Sequence, residues 1–127
     1  MNAKVVGLVV AAVLLASCRT VPIYNVKDAP VNTAAGQASS LAAVEQAIVR
    51  AGNQLGWTMK VETPTLITGT LNLRTHAAVV SIPFSTTSFS ILYKSSANLD
   101  QQGDSIHKNY NSWVQNLEKA IRAQLLQ

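Results

Sequence analysis

The residue with the most reactive side chain in this sequence is Cys18, the only cysteine among 127 residues. A lone thiol forms no internal disulfide, and an exposed free thiol in an oxidising compartment is a liability unless it is chemically blocked. The other groups able to do chemistry are scattered. There are two histidines, His76 and His107, and six acids: Asp28, Glu45, Glu62, Asp100, Asp104 and Glu118. His76 falls in an expected hairpin turn and His107 in the first turn of an expected helix. No His-Glu-x-x-His, Gly-rich phosphate loop or Gly-x-Ser-x-Gly elbow occurs. The many Ser and Thr hydroxyls have no base and orienting group at a spacing that would activate them. The expectation is therefore no enzyme, no metal and no cofactor. The alternative is an enzyme acting on a cell-envelope substrate, with a site assembled from residues distant in sequence.

Cys18 has a distinctive context. Met1-Asn2-Ala3-Lys4 precedes an unbroken apolar run from Val5 to Leu15, followed by Ala16-Ser17-Cys18. A charged start, an apolar run and a small-residue cleavage zone make a signal peptide. Eleven apolar residues are too few to cross a bilayer, which takes about 20. The run Leu15-Ala16-Ser17-Cys18 resembles the lipobox of bacterial lipoproteins. That resemblance implies cleavage after residue 17, acylation of the Cys18 thiol by chains such as palmitate, and attachment to a membrane through that residue. Arg19, rather than Asp, after the cysteine implies the outer membrane, facing the periplasm, over the inner one.

Cleavage would leave 110 residues, enough for one domain. Nine basic residues would face six acidic ones, a net +3 without the cluster a nucleic-acid footprint needs. Only 13% of residues are charged, so Ser, Thr, Asn and Gln must carry much of the surface.

The pattern divides the chain into residues 1–17, a signal peptide; 18–39, the lipidated cysteine and a tether; and 40–127, a single globular domain. Residues 19–39 show no sustained periodicity and contain two prolines. As a flexible coil, such a segment spans roughly 25 Å. Within it, Val21–Val26 is apolar enough to pack on the domain or to add an edge strand.

From Ser40, apolar residues at Leu41, Val44, Ile48, Ala51 and Leu55 follow helical spacing, with Ser39 or Ser40 as N-cap and Gly56 as terminator. Four strands are expected next: around Trp57–Glu62, Leu66–Arg74, Ala78–Phe84 and Phe89–Tyr93, joined by short turns and hence antiparallel. A polar loop from Ser95 to Gly103 leads to a last helix capped by Asp104 or Ser105, with Ile106, Tyr110, Trp113, Leu117 and Ile121 on its apolar stripe. The expected class is an α+β two-layer sandwich, helix, four antiparallel strands, helix, with both helices on one face of the sheet. Trp57, Tyr93, Tyr110 and Trp113 fall on core faces; a sugar- or peptide-binding platform is the other use of such a set.

Ala47-Ile48 with Gly56-Trp57, the run from Ile91 to Leu99, and Ile106-His107-Lys108-Asn109-Tyr110-Asn111-Ser112-Trp113-Val114 together resemble a group of small proteobacterial lipoproteins with no assigned activity. That resemblance implies the anchor and the compact domain, and supplies no chemistry. The remaining candidates are His107 and Asn111, on the flank of the last helix with Glu118. Two uses suit them there: bracing the Ser95–Gly103 loop, or contacting a partner. The expected function is a non-catalytic binding module for an envelope protein or glycan, held to the membrane at Cys18 and independent of nucleic acid.

Overall fold

The first helix, α1 (Leu41–Gln54), is fixed at both ends by local chemistry. Ser40 adopts extended backbone and its Oγ accepts the Ala43 N–H at 3.0 Å. At the other end Gly56, with φ +86°, closes a Schellman turn: its N–H donates to Asn53 and the Trp57 N–H to Gly52. The turn leaves Trp57 buried at the mouth of the following strand.

The computed structural model describes residues 19–34 and 39–127. Cys18 and the apolar run before it lie outside the described residues. In chain order the strands are β1 (Thr20–Pro22), β2 (Val26–Pro30), β3 (Thr58–Thr63), β4 (Leu66–Leu73), β5 (His76–Pro83), β6 (Ser88–Ala97) and β7 (Ser105–His107), and the second helix is α2 (Lys108–Leu125). The class is α+β: two helices and an antiparallel five-stranded sheet ordered β2-β6-β5-β4-β3, with β1 and β7 forming a separate antiparallel pair. Two-residue turns at Pro64-Thr65 and Arg74-Thr75 join β3 to β4 and β4 to β5, as the pairs Thr63 with Leu66 and Leu73 with His76 show.

Alternation along β4 and β5 puts Ile67, Gly69, Leu71, Ala78, Val80 and Ile82 on one buried face. Phe89 and Ile91 of β6, Val44, Ile48 and Ala51 of α1, and Tyr110, Val114, Leu117 and Ile121 of α2 complete the same core. Gly52 and Gly69 have a specific reason to lack side chains. A Cβ on Gly52 would collide with the Met59 thioether, and one on Gly69 would lie 3.2 Å from the same sulfur. The two glycines form the socket in which Met59 packs between helix and sheet.

The structure corrects four expectations. The sheet has five strands rather than four, because residues 26–30, within the stretch read as a tether, pair with β6. The period was hidden by a bulge: Val26 and Ala29 both point into the core although they are three residues apart, with Asp28 at φ +52° between them. The cap of α2 is His107, whose Nδ1 accepts the Asn109 N–H at 3.1 Å, not Asp104 or Ser105, because Ser105–His107 is engaged as a strand with β1. β6 runs on to Ala97, into the stretch read as loop, past a bulge at Lys94. Finally, Trp113, expected on a core face, is half-buried and packs against the core rather than within it. Val61 and Leu73, 43% and 47% exposed, lie on the edge strand β3 and at the end of β4.

Candidate functional site

The flank of α2 holds a cluster of polar side chains, and the segment that Asn111 and Glu118 bind there is the amino-terminal one rather than the 95–103 loop. Asn111, one turn into the helix, brackets the backbone of that segment. Its Nδ2 donates to the Pro22 carbonyl at 2.9 Å and its Oδ1 accepts the Tyr24 N–H at 3.0 Å. His107 keeps to its capping role while its own N–H donates to the Leu99 carbonyl. Of the two sequence candidates, Asn111 thus braces β1 and His107 braces the helix start.

Further along α2, the Tyr24 hydroxyl donates to Glu118 Oε1 at 2.7 Å, and Arg122 donates to Glu118 Oε2 at 2.9 Å. The Arg122 guanidinium also lies 5.8 Å from the centre of the Phe89 ring. Burial alone would raise the Glu118 pKa, but the hydrogen bonds from Tyr24 and Arg122, with the Arg122 charge, outweigh it and hold the carboxyl below its ordinary value. The hydrogen bond to Glu118, with burial and the carboxylate's charge, raises Tyr24 in turn. These are the signatures of a structural clasp.

Asn111→Ala should therefore cost about 1–3 kcal/mol, because a carbonyl and an amide of the amino-terminal segment both lose their partner. Urea unfolding of the variant checks this; a loss within about 0.5 kcal/mol would mean that the clasp is not needed.

Between the clasped segment, β6 and the loop before β7 lies a groove of about 420 Å³ lined by Pro22, Ile23, Asn25, Tyr93, Gln101, Gly103 and Asp104. Its walls are held in place. Asn25 Oδ1 accepts the Tyr93 N–H at 2.8 Å, and the Ile23 N–H donates to the Asp104 carbonyl at 2.8 Å. The Tyr93 hydroxyl shares a hydrogen bond with Ser96 Oγ, and its ring meets Tyr110 edge-on at 5.5 Å. Gln101 Nε2 donates to the Gly103 carbonyl, and the Asp104 residue is exposed. The groove thus offers an aromatic wall, two amides and a carboxylate on backbone fixed by hydrogen bonds, a composition suited to a polar ligand of about the size of a sugar or short peptide.

Sequence reasoning named the aromatic Tyr93 but missed Asn25 and Gln101. The one available signal was the packable character of Val21–Val26, which brings Asn25 to the sheet. His76 lies apart from the groove, its Nδ1 2.8 Å from the Asn98 carbonyl. Among the described residues no group of three or more His, Cys, Asp or Glu side chains is placed to hold a metal ion. No helix there is long and apolar enough to cross a membrane. No protein-family model, curated protein or solved structure matches this chain.

Proposed function

We propose that this chain is a lipid-anchored envelope lipoprotein whose domain binds rather than catalyses, holding a periplasmic protein or glycan in the groove between the amino-terminal segment and β6. In this reading Cys18 carries the acyl chains, in the outer membrane and facing the periplasm. Both helices lie on one face of the five-stranded sheet, an arrangement supported by their packing on each other and by the core they share. The observation that carries the binding role is the groove itself. Its aromatic and amide groups sit on backbone clamped by Asn111 and Asn25, and a pre-positioned site binds without having to be ordered first.

Photo-crosslinking in cells tests this. A photoreactive residue at Gln101 is expected to capture a discrete envelope species, and one at Thr86, on a hairpin turn remote from the groove, is expected to capture none. Equal capture at both positions, or none at Gln101, would overturn the groove as the binding site. The anchor is read separately: Cys18→Ser should abolish uptake of labelled palmitate, and normal maturation of that variant would refute the lipoprotein assignment.

A further inference from the structure

We infer that the domain lies directly on the lipid surface, resting on the end that carries Leu55, Leu73 and Arg74; this rests on acylation at Cys18. The first observation is the length of free chain. Thr20 is already paired with His107, and the Arg19 carbonyl accepts the Lys108 N–H at 3.2 Å. Consecutive Cα atoms are about 3.8 Å apart, so an acylated Cys18 stands no more than about 7.6 Å from a residue fixed in the domain. A 21-residue coil would have allowed roughly 25 Å. With so short a link the domain cannot stand clear of the headgroups.

The second observation identifies which surface meets them. A chain of hydrogen bonds ties the β4–β5 turn to the point where the chain enters. Asn98 Nδ2 donates to the Thr75 carbonyl, the His107 N–H donates to the Leu99 carbonyl, and Lys108 follows, bonded to Arg19. Leu55, which ends α1, lines a small cleft with Leu71 and Trp113, and Leu73 is the next residue on the core-facing side of β4. Leu55 and Leu73 are 41% and 47% exposed, two of the four large hydrophobic residues most exposed to solvent among the described residues. Arg74 follows Leu73, Arg19 and Lys108 mark the point where the chain enters, and all three are exposed. Asp100, exposed, follows Leu99, while the Asp104 carbonyl is bonded to the Ile23 N–H. Exposed apolar side chains on the same side as the Arg19, Arg74 and Lys108 cations suit an anionic headgroup layer over an acyl interior.

The test uses the mature, acylated chain in vesicles of phosphatidylethanolamine and phosphatidylglycerol. A fluorophore is attached through Thr75→Cys or, separately, through Thr86→Cys at the opposite end. Acylation leaves the new thiol as the only one free to react, and mass spectrometry of the same sample reports the acyl chains. Brominated phospholipids are expected to quench the Thr75 label several-fold more than the Thr86 label, and Leu73→Asn together with Arg74→Glu should lower that ratio toward one. An acylated chain with equal or reversed quenching would overturn the orientation alone. A mature chain without acyl mass would overturn the anchor and the orientation together.

Discussion

A fragment beginning at Asn32 is expected to remain unfolded, although it contains both helices and four of the five strands of the main sheet. Were residues 19–31 a tether, deleting them would cost nothing. Instead the deletion strips β2 from β6 and empties the core positions of Val26 and Ala29, each 5% exposed. Burial of Val26 alone contributes about 1.5–3 kcal/mol. The deletion also leaves Asn111 and Glu118 without the groups they clasp, and it leaves β7 and the Ser90 hydroxyl, which accepts the Asp28 N–H, unpaired. Against a total stability on the order of 5–15 kcal/mol, these losses fall together on one small domain. Circular dichroism and urea unfolding of the fragment beside a chain beginning at Arg19 decide it, and a fragment that melts cooperatively near the parent would return residues 19–31 to the status of a linker.

The second large effect belongs to Tyr110, which is fully buried between α2 and the sheet. Tyr110→Ala should cost about 3–5 kcal/mol, as for other large aromatic truncations. Tyr110→Phe should do the opposite. The Tyr110 hydroxyl is buried and finds no hydrogen-bond partner among the described residues, so removing it relieves a penalty of about 1–3 kcal/mol. Burial, aided by the neighbouring Tyr93, raises its pKa well above the ordinary tyrosine value. In the unfolded chain the phenol ionises near pH 10, while in the folded domain it keeps its proton. The unfolded state therefore binds fewer protons there, and stability falls as pH rises through and beyond about 10. That alkaline decline should be shallower in Tyr110→Phe. A Phe variant less stable than the parent at neutral pH would mean that a partner holds the hydroxyl.

How far the fold could be read in advance depended on whether each element carried its own period. The helix at Leu41–Gln54, its Ser40 cap and its Gly56 stop were legible because capping and helical spacing are local. So were β4 and β5, where strict alternation meets two-residue turns. β2 was illegible because its bulge places Val26 and Ala29 at a spacing of three, which matches neither a strand nor, over five residues, a helix. β7 is only three residues long and is defined by its partner, β1, so its residues read as the first turn of the helix that follows. The groove was legible only at Tyr93 and in the packable character of Val21–Val26. Asn25 and Gln101 are ordinary polar residues whose meeting depends on a strand pairing the period could not reveal.

The pairing of Val26 with Ile91 also sets an order of events. β3, β4, β5 and β6 close through turns of a few residues, and such hairpins form in microseconds. β2 must bridge a loop of some 65 residues, whose closure entropy is compensated only once the far strand is in place. Among the five strands of the main sheet, the first in the chain is thus the last to dock. Until it does, β6 presents an unpaired row of amides and carbonyls beside Phe89 and Ile91, the kind of edge that recruits another chain. Aggregation of this protein should accordingly depend on how long that one edge stays open, and variants that slow β2 docking should aggregate before they measurably lose stability.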